Sequence, residues 1–272
     1  MIYMATIIAV TNQKGGVAKT TTTLCLGLGL TEQGYRVLLI DLDPQGSLSI
    51  CLGCEEPEKE SYTMADIMSE AGMNPLSNEM VTQGIFSTKK TVDYIPTNWK
   101  MASVEMQLVK TSDGELILRK VLDMVEQQYD FILLDCPPTL GMTTLNALVA
   151  ADKVLIPVQP EYLAAKGLEQ LLRTIVGIRR NLNPQLQILG ILETMVNRKT
   201  KNAKEVWNLV QEIYGRKIRI LNTIIPYTVK AKEMSNQPEV FGISRKNVIS
   251  ESYRNLVFEV LEIIQESEGK GL

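Results

Sequence analysis

Hydrophobic positions along this chain fall into two interleaved rhythms. Short aliphatic runs, "TIIAV" (6–10), "RVLLIDLD" (36–43), "VDYIP" (92–96), "YDFILLD" (129–135), "KVLIPV" (153–158) and "LQILGILETMV" (186–196), show little polar alternation and read as strands buried on both faces. Between them lie helically spaced segments such as "LILRKVLDMVEQQ" (116–128) and "GLEQLLRTIVGIRRNL" (167–182), and a further helix is predicted to begin near Lys19. This alternation predicts an α/β fold: a doubly wound, mostly parallel central sheet with helices on both faces. Near the end, "ESYRNLVFEVLEIIQ" (251–265) sets Leu256, Val260, Leu261 and Ile264 on one stripe, predicting an amphipathic helix docked on the body. No linker interrupts the pattern, so residues 1–272 read as a single domain. Pro57, Gly72, Pro75 and Gly84 break any period between about 53 and 91, which reads as a small helical insertion with loops.

Composition narrows the chemistry. With 272 residues and 45% hydrophobic content the chain can bury a full core. It contains no run of eighteen apolar residues, and "MIYMATIIAV" has neither the basic lead nor the cleavage site of a secretory signal, so a cytoplasmic protein is expected. There is no histidine, which removes Ser-His-Asp, Cys-His and His-metal chemistry and leaves carboxylates, lysines, hydroxyls and backbone amides. Cys25, Cys51, Cys54 and Cys136 are too few and too irregular for a disulfide framework; Cys51-x-x-Cys54 has no second pair to complete a zinc site and reads as reduced thiols. Between Met195 and Lys246 eleven lysines and arginines stand against four glutamates, a surplus of seven in a chain whose net charge is −3. Such a segment is either a polyanion-binding face or a solvated basic surface.

"TNQKGGVAKTTTT" (11–23), directly after the first strand, reads as a phosphate loop. In such loops successive amides surround phosphate oxygens at a helix N-terminus, a lysine neutralises charge and a hydroxyl ligates magnesium. The strict pattern G-x-x-x-x-G-K-S/T fails twice, placing Gln13 and Ala18 where glycines belong, yet Gly15 and Gly16 permit close backbone approach and Lys19, Thr20 and Thr21 supply charge and hydroxyls. Ala18 is expected to have helical dihedrals, because a positive φ would cost on the order of 1 kcal/mol. Asp41 and Asp43 close the second strand and Asp135 the fourth, at strand ends that border the ligand crevice of an open parallel sheet.

"KGGVAKTT" closely resembles the deviant Walker A motif, K-G-G-x-G-K-S/T-T, of the ParA/Soj group of partitioning ATPases and their MinD-like relatives. "VLLIDLDPQGSLS", "YDFILLDCPPTLGMTTLNALVAADKVLIPVQPEYLAAKGLEQLL" and "LGILETMVN" resemble further family blocks in the same order. The likeness covers nearly the whole chain and is weakest at about 53–92 and after Pro226.

The resemblance implies a P-loop ATPase with ATP and Mg2+ as cofactors. By it, Lys14 is the signature lysine that reaches a partner subunit's ATP, Lys19 holds the β and γ phosphates, and Gly15, Gly16, Val17, Ala18, Thr20 and Thr21 complete the cradle. Thr20 and Asp135 hold magnesium, Asp41 supports its shell, and Asp43 orients the attacking water. Asn197 and Pro226 fall in the adenine region, although "IPYT" replaces the family's "IPRN", so Tyr227 and Thr228 stand where arginine and asparagine are usual.

The implied function is slow, switch-like ATP hydrolysis. An ATP-bound homodimer would bind double-stranded DNA without sequence preference, associate with the nucleoid, and be released by a ParB-like centromere-binding protein. Lys199, Lys230, Lys232, Arg245 and Lys246 are the candidate DNA contacts. MinD-like membrane positioning is a competing reading, but the terminal helix carries Glu259, Glu262, Glu266 and Glu268, which anionic lipid repels. A metabolic P-loop enzyme is another alternative. An iron–sulfur relative is a third, for which Cys136 lacks an evident companion.

Overall fold

A computed structural model describes residues 4–60, 62–89, 92–161, 164–197, 201–227 and 247–269, with the backbone alone for 164–166, 201–204 and 268–269. The strands among them are β1 (Thr6–Val10), β2 (Val37–Asp41), β3 (Phe86–Ser87), β4 (Asp93–Ile95), β5 (Phe131–Asp135), β6 (Lys153–Val158), β7 (Gln187–Val196) and β8 (Ile220–Pro226). They form one sheet in the order β3-β4-β2-β5-β1-β6-β7-β8, parallel throughout except where β3 runs against β4. The described helices are α1 (Lys19–Glu32), α2 (Ser47–Cys51), α3 (Met64–Ala71), α4 (Asn78–Gln83), α5 (Met101–Leu108), α6 (Ile117–Leu122), α7 (Met142–Ala150), α8 (Ala164–Asn181), α9 (Lys201–Tyr214) and α10 (Val248–Gly269).

Successive residues of the central strands feed opposite sides of the sheet. Ile7, Leu38, Ile40, Ile132 and Leu134 join one core with α3, α5, α6 and α7, while Ile8, Val10, Leu39 and Leu133 join a second core with α1 and α10. Both faces are therefore apolar, which is why these strands lack polar alternation. Gly27 lets α1 lie against β2, since a Cβ there would come within 2.5 Å of Leu39 Cδ2.

The chain steps from β1 to β2 in one direction and, after β5, from β1's other side outward through β6, β7 and β8. The order thus reverses around β1, and the crevice of an open α/β sheet forms at the carboxyl strand ends beside such a reversal.

Three elements depart from the sequence expectations. The insertion holds α3 and α4 but also the two-residue strand β3. The segment 116–128 is not one helix: only Ile117–Leu122 is α-helical, and Met124 and Val125 donate instead to Val121 and Leu122 three residues back as the chain tightens toward β5. The edge strand β8 has no counterpart among the six expected, because buried positions alternate with partly exposed ones and Asn222 and Thr223 interrupt its apolar residues.

The terminal helix docks as expected. Leu256, Val260 and Ile264 are buried and Leu261 packs partly against the same core. Two of its acidic residues are engaged in that docking: the Glu259 carboxylate accepts from the Asn222 and Thr223 amides of β8, at 2.6 and 2.9 Å, and Glu266 pairs with Arg219.

Candidate functional site

The loop between β1 and α1 is braced from three sides. Asn12 Nδ2 donates to the Pro157 carbonyl at 2.7 Å, while its Oδ1 accepts from the Lys14 amide at 3.0 Å. Thr194, buried at the end of β7, donates to the Val17 carbonyl at 3.0 Å. Lys19 Nζ, largely buried, donates to the Lys14 carbonyl at 3.2 Å across the loop. Gly15 and Gly16 are left exposed at the rim, and Gly15 faces Pro138 of the loop after β5.

Ala18 overturns the expectation of helical dihedrals. It sits at φ 65°, ψ 32°, in the left-handed region, as the N-cap of α1, and Gly16 is likewise left-handed at φ 70°. The reason is the curl of the loop: left-handed residues bend successive amides into a concavity that attracts anions, whereas a helical Ala18 would extend α1 backwards and straighten it. With no side-chain acceptor at the N-cap, the first amides of α1 lack the usual cap.

The carboxylates gather as their strand positions require. Asp41 and Asp135 are direct partners in the β2–β5 register, and Asp135 also pairs with Val10 at the end of β1. Both are fully buried, and burial, reinforced by the other's charge for Asp135, pushes their pKa values above the ordinary carboxylate range. The Thr23 hydroxyl donates to Asp135 Oδ1 at 3.4 Å, and the Thr20 side chain acts against the upward shift of its pKa, but Asp135 Oδ2 is buried without a hydrogen-bond partner. Burial lowers the pKa of Lys19 while Asp135 opposes the shift. Asp43 is half-buried in a turn, its amide donating to Asp41 Oδ1 at 3.1 Å and its Oδ1 accepting from the Gln45 amide at 3.0 Å.

Lys14 points elsewhere, its ammonium ion-paired with Glu161 in the loop after β6. Asn197 and Pro226 come together at the carboxyl ends of β7 and β8, where Val196 is the register partner of Pro226 and a bulge places Met195 at φ 54°. Thr194, two residues before Val196 on β7, ties this rim to the loop through Val17. Lys199, Lys230, Lys232, Arg245 and Lys246, like Thr228, lie outside the described residues. None of the four cysteines is in a disulfide; burial raises Cys51 to about 11 and Cys54 to about 12, which suits inert side chains.

Sequence reasoning missed Asn12, Ser49, Glu161 and Thr194. An Asx two residues before a loop amide is a turn signal that could have flagged Asn12. Glu161 and Thr194 act across long sequence separations and carry no local mark, and Ser49 joins nearby Asp41 to distant Thr97, a link that only the fold makes.

An uncapped helix N-terminus, exposed glycines, a buried lysine and a carboxylate with an orphaned oxygen together suit a phosphate-bearing ligand with a divalent cation. The orphaned Asp135 Oδ2 fits a water-bound cation that would satisfy it.

Comparison with known proteins agrees with that chemistry. A family model described as an AAA domain matches residues 5–188. Sporulation initiation inhibitor protein Soj of Bacillus subtilis is 40% identical over 230 residues, 85% of this chain and 87% of that protein. Chromosome-partitioning ATPase Soj of Treponema pallidum is 38% identical over 252 residues, covering 92% and 94%. Among solved structures, cobyrinic acid a,c-diamide synthase from Mycobacterium smegmatis with bound ATP analog and magnesium superposes with a TM-score of 0.81 at 33% identity, covering 97% of each chain. A putative plasmid partition protein from Borrelia burgdorferi bound to AMPPNP shares the fold, with a TM-score of 0.75 at 24% identity over 97% of this chain and 99% of that one.

Proposed function

The chain belongs to the Soj/ParA family of chromosome-partitioning ATPases, and from that premise we propose that it is an ATP-driven DNA-partitioning switch acting as a homodimer. The observation that carries the reading is Asp135, whose buried Oδ2 has no hydrogen-bond partner while its Oδ1 accepts from the Thr23 hydroxyl, and which lies under the field of Lys19. It lies at the strand ends from which the left-handed curl of Gly16 and Ala18 leads into α1.

In this reading Lys19 neutralises the β and γ phosphates of ATP, and the backbone of Gly15, Gly16, Val17 and Ala18, with Thr21, encloses them. Thr20 and Asp135 hold Mg2+, with Asp41 supporting the shell from the neighbouring strand. When bound, the ion neutralises phosphate charge and orients the oxygens for displacement. Among the described residues no cluster of three or more acidic or cysteine side chains could hold a metal alone, and Thr20 and Asp135 would hold the ion together with the nucleotide.

Asp43 orients the attacking water. Lys14 leaves Glu161 and reaches the nucleotide of a second copy, which ties the dimer to the γ-phosphate. Asn197 and Pro226 border the base. With lysines, magnesium and amides as the main stabilisers, hydrolysis is slow.

The basic segment 195–246, doubled in a dimer, supplies a phosphate-binding face for double-stranded DNA through Lys199, Lys230, Lys232, Arg245 and Lys246. The protein works in the cytoplasm on the nucleoid, and a ParB-like centromere-binding protein stimulates hydrolysis and release. No described helix is long and apolar enough to cross a membrane.

DNA-shift titrations with ATP, ADP or no nucleotide across a salt series test the switch. Asp43→Ala keeps ATP-dependent DNA binding and loses turnover; Lys14→Ala loses cooperative binding. Wild-type affinity falls steeply with salt. Equal binding by all three proteins in every nucleotide state would overturn the switch.

A second reading, a metabolic ATP-dependent synthase, draws on the 33% identity to the diamide synthase. ATPase activity indifferent to DNA and to any centromere-binding partner would favour it.

A further inference from the structure

We propose that Ser49 is a positioning residue for ATP hydrolysis: it clamps the Asp41 carboxylate, and Asp41 in turn holds the backbone of Asp43 at the reacting centre. The proposal rests on the reading of Asp43 as the residue that orients the attacking water.

Ser49 is fully buried on α2, eight residues beyond Asp41. Both its amide and its hydroxyl donate to Asp41 Oδ2, each at 2.8 Å. The same hydroxyl oxygen accepts from the Thr97 amide, just beyond β4, at 3.0 Å. Asp41 Oδ1 is then turned toward the Asp43 amide at 3.1 Å. A continuous path therefore runs from β4 through one hydroxyl and one carboxylate to the turn that carries Asp43.

Charge-assisted hydrogen bonds of this kind are about twice as strong as neutral ones, and this path is closed off from water. The turn has few other supports. Gly46 donates to the Asp43 carbonyl at 2.8 Å, and Gly46 itself sits at φ 61° where a Cβ would lie 3.1 Å from the Thr97 carbonyl. The backbone at Thr97 thus meets the Asp43 turn twice, once through Ser49 and once by direct approach at Gly46. A packing role alone would not need a side chain that donates and accepts at once. Removing its hydroxyl would take one of the two bonds from Asp41 Oδ2 and leave the buried Thr97 amide without an acceptor. Displacing a reacting group by about 1 Å can cost roughly 100-fold in rate.

The test uses full-length protein carrying Ser49→Ala, Ser49→Cys or Ser49→Thr. Two readouts are compared: steady-state ATPase kinetics with Mg2+, and amide hydrogen exchange of the nucleotide-free protein. Ser49→Ala and Ser49→Cys are expected to lower kcat at least tenfold with KM for ATP changed less than about threefold, in line with a pure orientation defect. Exchange at 42–46 should quicken while β1, β5 and β6 stay protected. Ser49→Thr, which keeps the hydroxyl, should recover most of both.

Unchanged kcat and unchanged exchange in Ser49→Ala would overturn the proposal and leave the partitioning reading standing. Exchange that rises throughout the sheet, with KM rising as kcat falls, would also overturn it by showing a merely structural role. Faster exchange confined to 42–46 in a protein whose wild type hydrolyses no ATP would preserve the tether while removing the catalytic reading of Asp43 and the partitioning function with it.

Discussion

Ala18 is the residue at which chemistry and geometry disagree most openly. An alanine at φ 65° carries a steric cost of about 1–2 kcal/mol that glycine avoids, partly offset by glycine's greater freedom in the unfolded chain. Ala18→Gly should therefore raise stability by about 0.5–1 kcal/mol, read as a higher urea midpoint with an unchanged slope. A midpoint at or below that of the wild type would mean that the loop relieves the strain by some other route. The side chains around Ala18 teach a related lesson. Lys19 was legible because its charge has one use after a glycine-rich turn, whereas Thr194, which holds the Val17 carbonyl, is one threonine among many until β7 is placed beside the loop.

Among the elements, α3 shows how a segment without clear periodicity still acquires an ordered helix. Thr63 and Asp66 form a reciprocal capping box, the Asp66 carboxylate accepting from the Thr63 amide at 3.1 Å and from its hydroxyl at 2.7 Å, and Lys100 pairs with the same carboxylate. Thr63→Ala should cost about 1 kcal/mol, checked by chemical denaturation. A pH effect follows with a definite sign. Burial acts to raise the pKa of Asp66, but the Thr63 hydrogen bonds and Lys100 outweigh it, so the folded value lies below the unfolded one. The stabilisation is present above the unfolded value of about 3.9 and is lost as pH falls through the folded one. The acid limb of the stability curve should accordingly be shallower in Thr63→Ala than in the wild type. The Thr63-x-x-Asp66 spacing is a local cap signal that the broken period of this region hid, whereas its support by Lys100 carries no local mark, since the two residues meet only after α5 folds onto α3.

For the whole molecule, the decisive closure is α10 against α1 and β8. Tyr253 shares a buried hydrogen bond with Thr22 at 3.3 Å, linking the last helix to the one that leaves the phosphate loop. Glu259 accepts two backbone amides of the edge strand β8. Glu259→Gln replaces a charged acceptor pair with one oxygen and should destabilise by about 1–2 kcal/mol, read as a lower guanidinium midpoint. An unchanged midpoint would show that apolar packing alone seats the helix. From sequence, the acidic character of this helix spoke only against a lipid surface; in the fold, Glu259 and Glu266 serve to attach it.

Local composition was enough to determine the buried parallel strands, the helix that starts at Lys19, the phosphate loop and the terminal amphipathic helix, because each depends on periodicity or on a short motif whose chemistry is complete within a few residues. Tertiary structure alone decided the left-handed turn at Ala18, the edge strands β3 and β8, the pairing of Lys14 with Glu161, and the path from Thr97 through Ser49 and Asp41 to Asp43. Those features arise where distant segments compete for the same backbone and charged groups. Which partner a carboxylate or an ammonium finds is settled by the packing of the sheet and its helices, and no stretch of sequence contains that information by itself.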